Sequence, residues 1–247
     1  MSGHSKWHSI RHKKAAKDAK RGKLYTRLIK EIVVAARMGG SDESMNSRLR
    51  SAVASARSAN MPNDTINKAV MRGTGELEGV NYEEATYEGY GPGGIALLIE
   101  CLTDNKNRTA AEMRYLMTRN NANLGAPGSV AWKFTAKGVL TFSKEKVSEE
   151  ELFEKLLEVA GVEDISDEGD VLQVLCDPNE FEAVKEAAEA ADLEAESSEL
   201  TKLPSDWIAL EGEEVSKAMK LIESIEDHDD VQNVYTNLDF PEEMLSE

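Results

Sequence analysis

The sequence predicts an α+β protein: an N-terminal three-helix domain followed by two ferredoxin-like-type α/β sandwich domains, one inserted into the other. Three observations carry this reading. Apolar residues recur at helical spacing up to about residue 73 and at strand spacing beyond Gly79. Residues 138–203 alternate strand, helix, strand, helix, strand, close to a whole β-α-β-β-α-β unit if a weak strand lies near Glu163–Asp167. Charge is divided along the chain: residues 1–80 hold 16 Lys+Arg against 7 Asp+Glu, whereas residues 144–247 hold 7 against 33. Such segregation marks modules with different partners.

The elements follow in order. Residues 1–23 are polar and basic, with no hydrophobic face beyond Trp7 and Ile10, and read as an arm that orders on binding. Leu24, Tyr25, Leu28, Ile29, Ile32, Val33 and Ala36 form the apolar stripe of a first helix, which Gly39-Gly40 ends. Met45, Leu49, Ala52, Val53 and Ala56 repeat the stripe in a second. A third opens with Pro62 in its first turn, carries Ile66, Ala69 and Val70, and stops at Gly73. Ala85–Tyr90 and Ile95–Thr103 read as strands joined by Gly91-Pro92-Gly93-Gly94, and Ser129–Phe134 as another. Between them lies a helix at Thr109–Asn120, where Thr109 and Glu112 have capping-box spacing. Asn123–Ser129 reads first as a turn. Beyond Pro204 come a helix, Glu213–Ile225, and a last strand, Asn233–Leu238.

The middle region lacks one helix and one strand, and the C-terminal tail supplies both. The expected organisation is therefore an arm (1–23), a helical domain (24–80), a discontinuous domain (81–137 with 208–247) and an inserted domain (138–207). A single larger sheet is the alternative.

Composition excludes several classes. The 247 residues carry 40% apolar and 30% charged side chains, which suits a globular chain with modest cores. No stretch approaches the roughly 18 apolar residues of a spanning helix, and the N-terminus is no secretory signal. Cys101 and Cys176 each sit in an apolar run, so buried thiols in a reducing cytoplasm are expected.

Chemistry concentrates at the basic end. Lys6, Arg11, Lys13, Lys14, Lys17, Lys20, Arg21, Lys23, Arg27, Lys30 and Arg37 face only Asp18 and Glu31 over the same stretch, with Trp7, His12 and Tyr25 among them. Cations neutralise phosphates and aromatic faces stack on unpaired bases, so nucleic acid is the expected partner, DNA or RNA. His4, His8 and His12 have metal-compatible spacing, but no carboxylate or cysteine lies near to complete a set, and no metal is expected. Lys106, Arg108 and Arg114 at a strand-to-helix turn form a candidate second anion site. There is no G-x-S-x-G, H-E-x-x-H or C-x-x-C, and His228 is the only histidine outside the arm. No enzyme, catalytic residue, cofactor, small-molecule substrate or membrane partner is read.

These residues resemble a known family. Gly3-His4-Ser5-Lys6-Trp7, Lys20-Arg21-Gly22-Lys23, Ala35–Gly40 and Met61–Ile66 fall in the order of the YebC/PmpR family, as do Tyr87–Gly94, Thr103–Thr109, Asn123–Gly125 and Asp229–Tyr235. That family also includes the mitochondrial translational activator of cytochrome oxidase subunit I. The resemblance implies a cytosolic, non-enzymatic protein with one helical and two α/β domains. It implies two functions: a transcriptional regulator that binds DNA, or a ribosome-associated translation factor acting at difficult sequences such as proline runs. The acidic C-terminal third is expected to face away from the polyanion or to meet a basic partner.

Overall fold

The computed structural model describes residues 18–240, with side chains from residue 21 onward. In chain order it begins with α1 (Asp18–Gly39), α2 (Ser47–Ser58) and α3 (Asn63–Thr74). Next come β1 (Glu83–Tyr90), β2 (Ala96–Thr103), α4 (Lys106–Arg119) and β3 (Asn123–Leu124). There follow β4 (Phe134–Ser143), α5 (Glu149–Leu156), β5 (Val162–Asp167), β6 (Val171–Cys176), α6 (Phe181–Ala190) and β7 (Ser197–Pro204). The chain ends with β8 (Ile208–Ala209), α7 (Glu213–Glu226), β9 (Val231–Thr236) and β10 (Leu238–Asp239). None of the described helices is long and apolar enough to cross a membrane.

The described residues form two compact units, 18–131 with 211–236 and 132–210 with 237–240. These divide the chain at other points than the sequence-based boundaries: helices and first sheet share a unit, and residues 237–240 belong to the other.

In the first unit α1 is the central helix. Ile32, Val33, Val34, Ala35 and Ala36 are all buried, so this segment is covered nearly all round rather than on one stripe. Gly73 lets α3 lie against it: a Cβ there would stand 2.5 Å from the Val33 carbonyl oxygen and 2.7 Å from the Ala36 Cβ. Asn46 caps α2, its Oδ1 accepting from the Leu49 N–H at 3.0 Å. Its amide nitrogen donates to the carbonyls of Ala35 and Gly40 at 2.8 and 2.9 Å, tying the α1–α2 connection together.

The sheet of this unit has the order β3-β1-β2-β9, antiparallel throughout. Two expectations change here. Of the expected strand Ser129–Phe134 only Phe134 is one, as the start of β4, and the strand beside β1 is Asn123–Leu124, expected as turn. The cause is Glu88, whose carboxylate takes the N–H groups of Gly128, Val130 and Ala131 at 2.6, 2.7 and 2.8 Å, leaving those donors unavailable to a ladder. Likewise α4 starts three residues before Thr109, because Asn105 is the cap, accepting from the Arg108 N–H at 3.1 Å.

The second unit holds the order β5-β6-β4-β7, which is the ferredoxin-like arrangement for its β4-α5-β5-β6-α6-β7 sequence. Leu140, Phe142, Leu152, Leu156, Leu172, Val174 and Val184 fill the core under α5 and α6. Ser148 caps α5 by accepting from the Glu151 N–H at 3.2 Å, at the position its capping-box spacing predicts. A short parallel pair, β8 with β10, completes the unit. The first sheet reaches the same spatial order from a different chain order, with β1 in the place that β6 has here.

Candidate nucleic-acid interface

The basic stretch divides at α1. Lys6, Trp7, Arg11, His12, Lys13, Lys14 and Lys17 lie outside the described residues, as does the side chain of Lys20. Arg21 and Lys23 are exposed on the first turns of α1 and Arg27 is half-buried. The Arg21 guanidinium sits 5.6 Å from the centre of the Tyr25 ring, a cation–π distance. Lys23 pairs with Asp227 at 3.3 Å, both partners largely in solvent. Arg37, in the last turn, donates to Asn81 Oδ1 and the Tyr82 carbonyl.

Two residues expected to meet nucleic acid serve the fold instead. Lys30 is only 6% exposed. Its ammonium donates to Asp230 Oδ1 at 2.7 Å and to the carbonyls of Asp229 and Leu102 at 3.0 and 3.2 Å. Those three acceptors use all three of its donors, so a phosphate would find no N–H. Tyr25 is half-buried, and its hydroxyl donates to the Asn60 carbonyl at 2.7 Å, fastening α1 to the end of α2. Its ring is therefore not presented for stacking.

Asp230 is the centre of a buried polar cluster in which α1, α4 and the start of β9 meet. Besides Lys30, Arg108 donates to its Oδ2 at 2.8 Å, and the Thr109 hydroxyl lies 2.8 Å from the same atom. Burial opposes ionisation of Asp230, but the hydrogen bonds from Lys30, Arg108 and Thr109 outweigh it and hold the carboxyl well below the usual range. His228 stands beside it. Its Nδ1 accepts from the Asp230 N–H at 3.1 Å, which leaves Nε2 as the protonated nitrogen facing Glu112 Oε2 at 2.8 Å. Glu112, His228 and Asp230 bring ligand-type atoms within 4.8 Å of one another. Both Asp230 oxygens are already engaged by cations, however, and these would repel a divalent ion. An open cleft of about 610 Å³ lies over the cluster, lined by Lys23, Arg108 and Glu112 with Asp104, Asp227 and Asp229. Acids outnumber cations in this lining, which does not suit a polyanion.

The second anion site is not assembled. Lys106 pairs with Glu83 at 2.9 Å, and Arg108 with Asp104 at 2.9 Å as well as with Asp230. The start of α4 is thus neutralised by carboxylates. Arg114, about two turns further on, is exposed and has no acidic partner among the described residues. The sequence reading missed its neighbour Tyr115, which is 63% exposed. The signal was available: Met113 and Met117 mark the buried stripe of α4, so residues 114, 115, 118 and 119 fall on the outer face.

Comparison with known proteins now bears on this geometry. A model of the TACO1/YebC N-terminal domain matches residues 5–76, and one of the TACO1/YebC second and third domain matches residues 82–238. The chain belongs to the TACO1/YebC family. A probable transcriptional regulatory protein of Desulforapulum autotrophicum is 54% identical over 244 residues, covering 99% of this chain and 98% of that one. Another so named, from Geobacter sulfurreducens, is 53% identical over 245 residues, with the same coverage. The crystal structure of a conserved hypothetical protein from Aquifex aeolicus superposes with a TM-score of 0.80 at 42% identity, covering 91% of this chain and 93% of that one.

In this TACO1/YebC chain neither cysteine is a reactive thiol. Burial, reinforced by the Asp230 charge, pushes Cys101 up to about 12, and burial pushes Cys176 up to about 11. The described surface exposes Arg21 and Lys23 on the first turns of α1, and Arg114 and Arg119 on the outer face of α4.

Proposed function

We propose that this chain is a non-enzymatic regulatory protein of the cytoplasm that contacts nucleic acid through its basic N-terminal region, as a transcriptional regulator would contact DNA. The observation that carries the reading is the excess of cations in residues 1–80 of a chain whose net charge is −17. Naming of the bacterial relatives as probable transcriptional regulatory proteins supports it. So does the anchoring of α1 by Lys30 and Tyr25, which holds the exposed Arg21 and Lys23 on a fixed helix. Phosphate and shape readout fit this charge distribution better than a base code.

Titrating the full chain against duplex DNA and RNA at several salt concentrations tests the reading. A steep fall of affinity with salt is expected, and reversal of Lys13, Lys14, Lys17 and Lys20 to Glu should greatly weaken binding without loss of fold. Unchanged affinity in that variant, or a shallow salt slope in the parent, overturns it. A second reading, in which the polymer is RNA at the ribosome, is favoured by one observation: the exposed ring of Tyr115 beside Arg114.

A further inference from the structure

We propose that the outer face of the C-terminal half of α4 is a binding surface for single-stranded RNA, with Tyr115 as a stacking platform and Arg114 and Arg119 as phosphate clamps. This rests on the nucleic-acid reading above and adds to it a second surface, remote in sequence from the basic arm, and the class of polymer.

The four cations of α4 fall into two pairs. Lys106 and Arg108, in the first turn, are held by Glu83, Asp104 and Asp230. Arg114 and Arg119, in the second half, are exposed and have no carboxylate partner among the described residues. Glu112, the one acid on the helix, faces Nε2 of His228. Arg119 alone has an ordinary explanation, since a cation in the last turn favours the helix dipole. Tyr115 has none of that kind. Its ring is 63% in water, and neither ring nor hydroxyl has a protein partner among the described residues. The other tyrosines of this unit whose hydroxyls are engaged, Tyr25, Tyr87, Tyr90 and Tyr235, bond within it.

The spacing suits the proposed ligand. Tyr115 and Arg119 are four residues apart and therefore neighbours on one face, and Arg114 and Thr118 flank them at the same interval. A ring with a guanidinium one turn on, at Arg119, and a second on the same outer face, at Arg114, meets a nucleotide chain as base on aromatic and phosphate on cation. Bases must be unstacked to use such a platform, which selects single strands over duplex. The exposed Thr118 hydroxyl and Asn121 amide at the same end supply partners for 2′-hydroxyl groups, which selects RNA.

The test uses the full chain and a fluorescein-labelled 20-nucleotide single-stranded RNA of mixed sequence, with matched single-stranded and duplex DNA as competitors. Tyr115→Ala is expected to weaken RNA binding roughly 5- to 100-fold, with Tyr115→Phe close to the parent. Arg114→Glu with Arg119→Glu should flatten the logarithmic salt slope by roughly 1.4. Ultraviolet crosslinking followed by mass spectrometry should place a nucleotide adduct on Tyr115. Circular dichroism melts of the tyrosine variants should match the parent, and that of the double arginine variant should fall only slightly, by the loss of the Arg119 dipole contribution, since all three side chains are exposed. A parent that binds RNA while all these variants bind it equally, with no adduct on α4, overturns this inference and leaves the arm reading standing. Duplex DNA competing as well as the RNA overturns the choice of polymer. A parent that binds no nucleic acid removes the function reading itself, and this surface with it.

Discussion

The two units of the molecule differ in where their carboxylates find partners. In the unit built on α1 and the β3-β1-β2-β9 sheet, two carboxylates are turned inward, alongside exposed pairs such as Lys23 with Asp227 and Lys68 with Asp64. Asp230 is 4% exposed and Glu88 7%, and each is saturated by donors, Lys30, Arg108 and Thr109 for one and three backbone N–H groups for the other. In the unit built on β5-β6-β4-β7, the described pairs stay near solvent: Lys137 with Glu163, Lys144 with Asp167, Lys146 with Glu194 and Lys155 with Glu151. The first arrangement makes charges part of the core, where removing a partner strands an ion. The second keeps an acidic chain soluble and contributes little to stability. A count of cations along the sequence therefore overstates what is available to a ligand, because the buried ones are already engaged.

The largest effect is expected from Asp230→Asn. The substitution leaves the Lys30 ammonium buried against two carbonyls with no counter-charge, and breaking a buried pair costs about 3–5 kcal/mol. Denaturant unfolding should show the loss in the transition of the α1-containing unit. Adding Lys30→Met should restore part of it, because the stranded charge is then gone. A loss no larger than that of a surface pair would erase the contrast between the units.

Acid should find the same weak point. The Asp230 and Glu88 carboxyls both sit below their ordinary values in the fold, since hydrogen bonds outweigh burial in each. A depressed carboxyl stabilises the fold fully above its unfolded value, about 4, and the contribution disappears as pH falls through the folded value. Hydrogen exchange measured between pH 5 and 2.5 should therefore show β9 and the 125–131 loop losing protection on acidification, and Asp230→Asn should flatten that dependence around β9. Protection insensitive to pH in the parent would show that these carboxylates do not hold those segments.

How far the sequence disclosed this contrast can be judged residue by residue. The α1 stripe, the Ser148 cap and the strand–helix alternation of residues 138–203 were legible because each is a local pattern. Lys30 was not. Its partner Asp230 lies 200 residues away, and no local rule links them. One hint was present: Ile32–Ala36 are five consecutive apolar residues, which on a helix means cover on every side. Lys30, one turn before Val34, then falls on a buried face. Glu88 was hidden for the same reason, because its partners are backbone N–H groups 40 or more residues on, in a stretch whose local pattern reads as a turn followed by a strand. Thr103–Thr109 and Asp229–Tyr235, both among the stretches that carry the family resemblance, meet at Asp230.

Glu88→Gln should have an intermediate effect. The amide keeps one acceptor oxygen, but its NH₂ group faces N–H donors and leaves at least one of them unsatisfied, at about 1–3 kcal/mol. Hydrogen–deuterium exchange should localise the change to residues 125–131, with β4 and β7 in the other unit unaffected. Exchange unaltered in that loop would mean that Gly125, whose N–H donates to the Glu88 carbonyl at 2.7 Å, and the tyrosine hydroxyl of Tyr90 on Ser129 hold it without the carboxylate.

The smallest effect belongs to Glu151→Gln in the acidic unit. Glu151 pairs with Lys155 one helical turn away at 2.7 Å, with both side chains about a third or more exposed. An i,i+4 pair of this kind contributes roughly 0.3–0.5 kcal/mol. The residue also stands in the first turn of α5, where a negative charge favours the helix dipole by a similar amount. Gln retains the length of the side chain and leaves the Ser148 cap in place, since that bond uses the Glu151 backbone N–H. The expected loss is therefore under about 1 kcal/mol, and both contributions are screened by salt. Thermal melts of parent and variant should differ slightly at low ionic strength and coincide at 1 M salt. A difference that persists at high salt would show that the acidic unit also relies on a specific, desolvated ion pair, and the two units would then differ in degree rather than in kind.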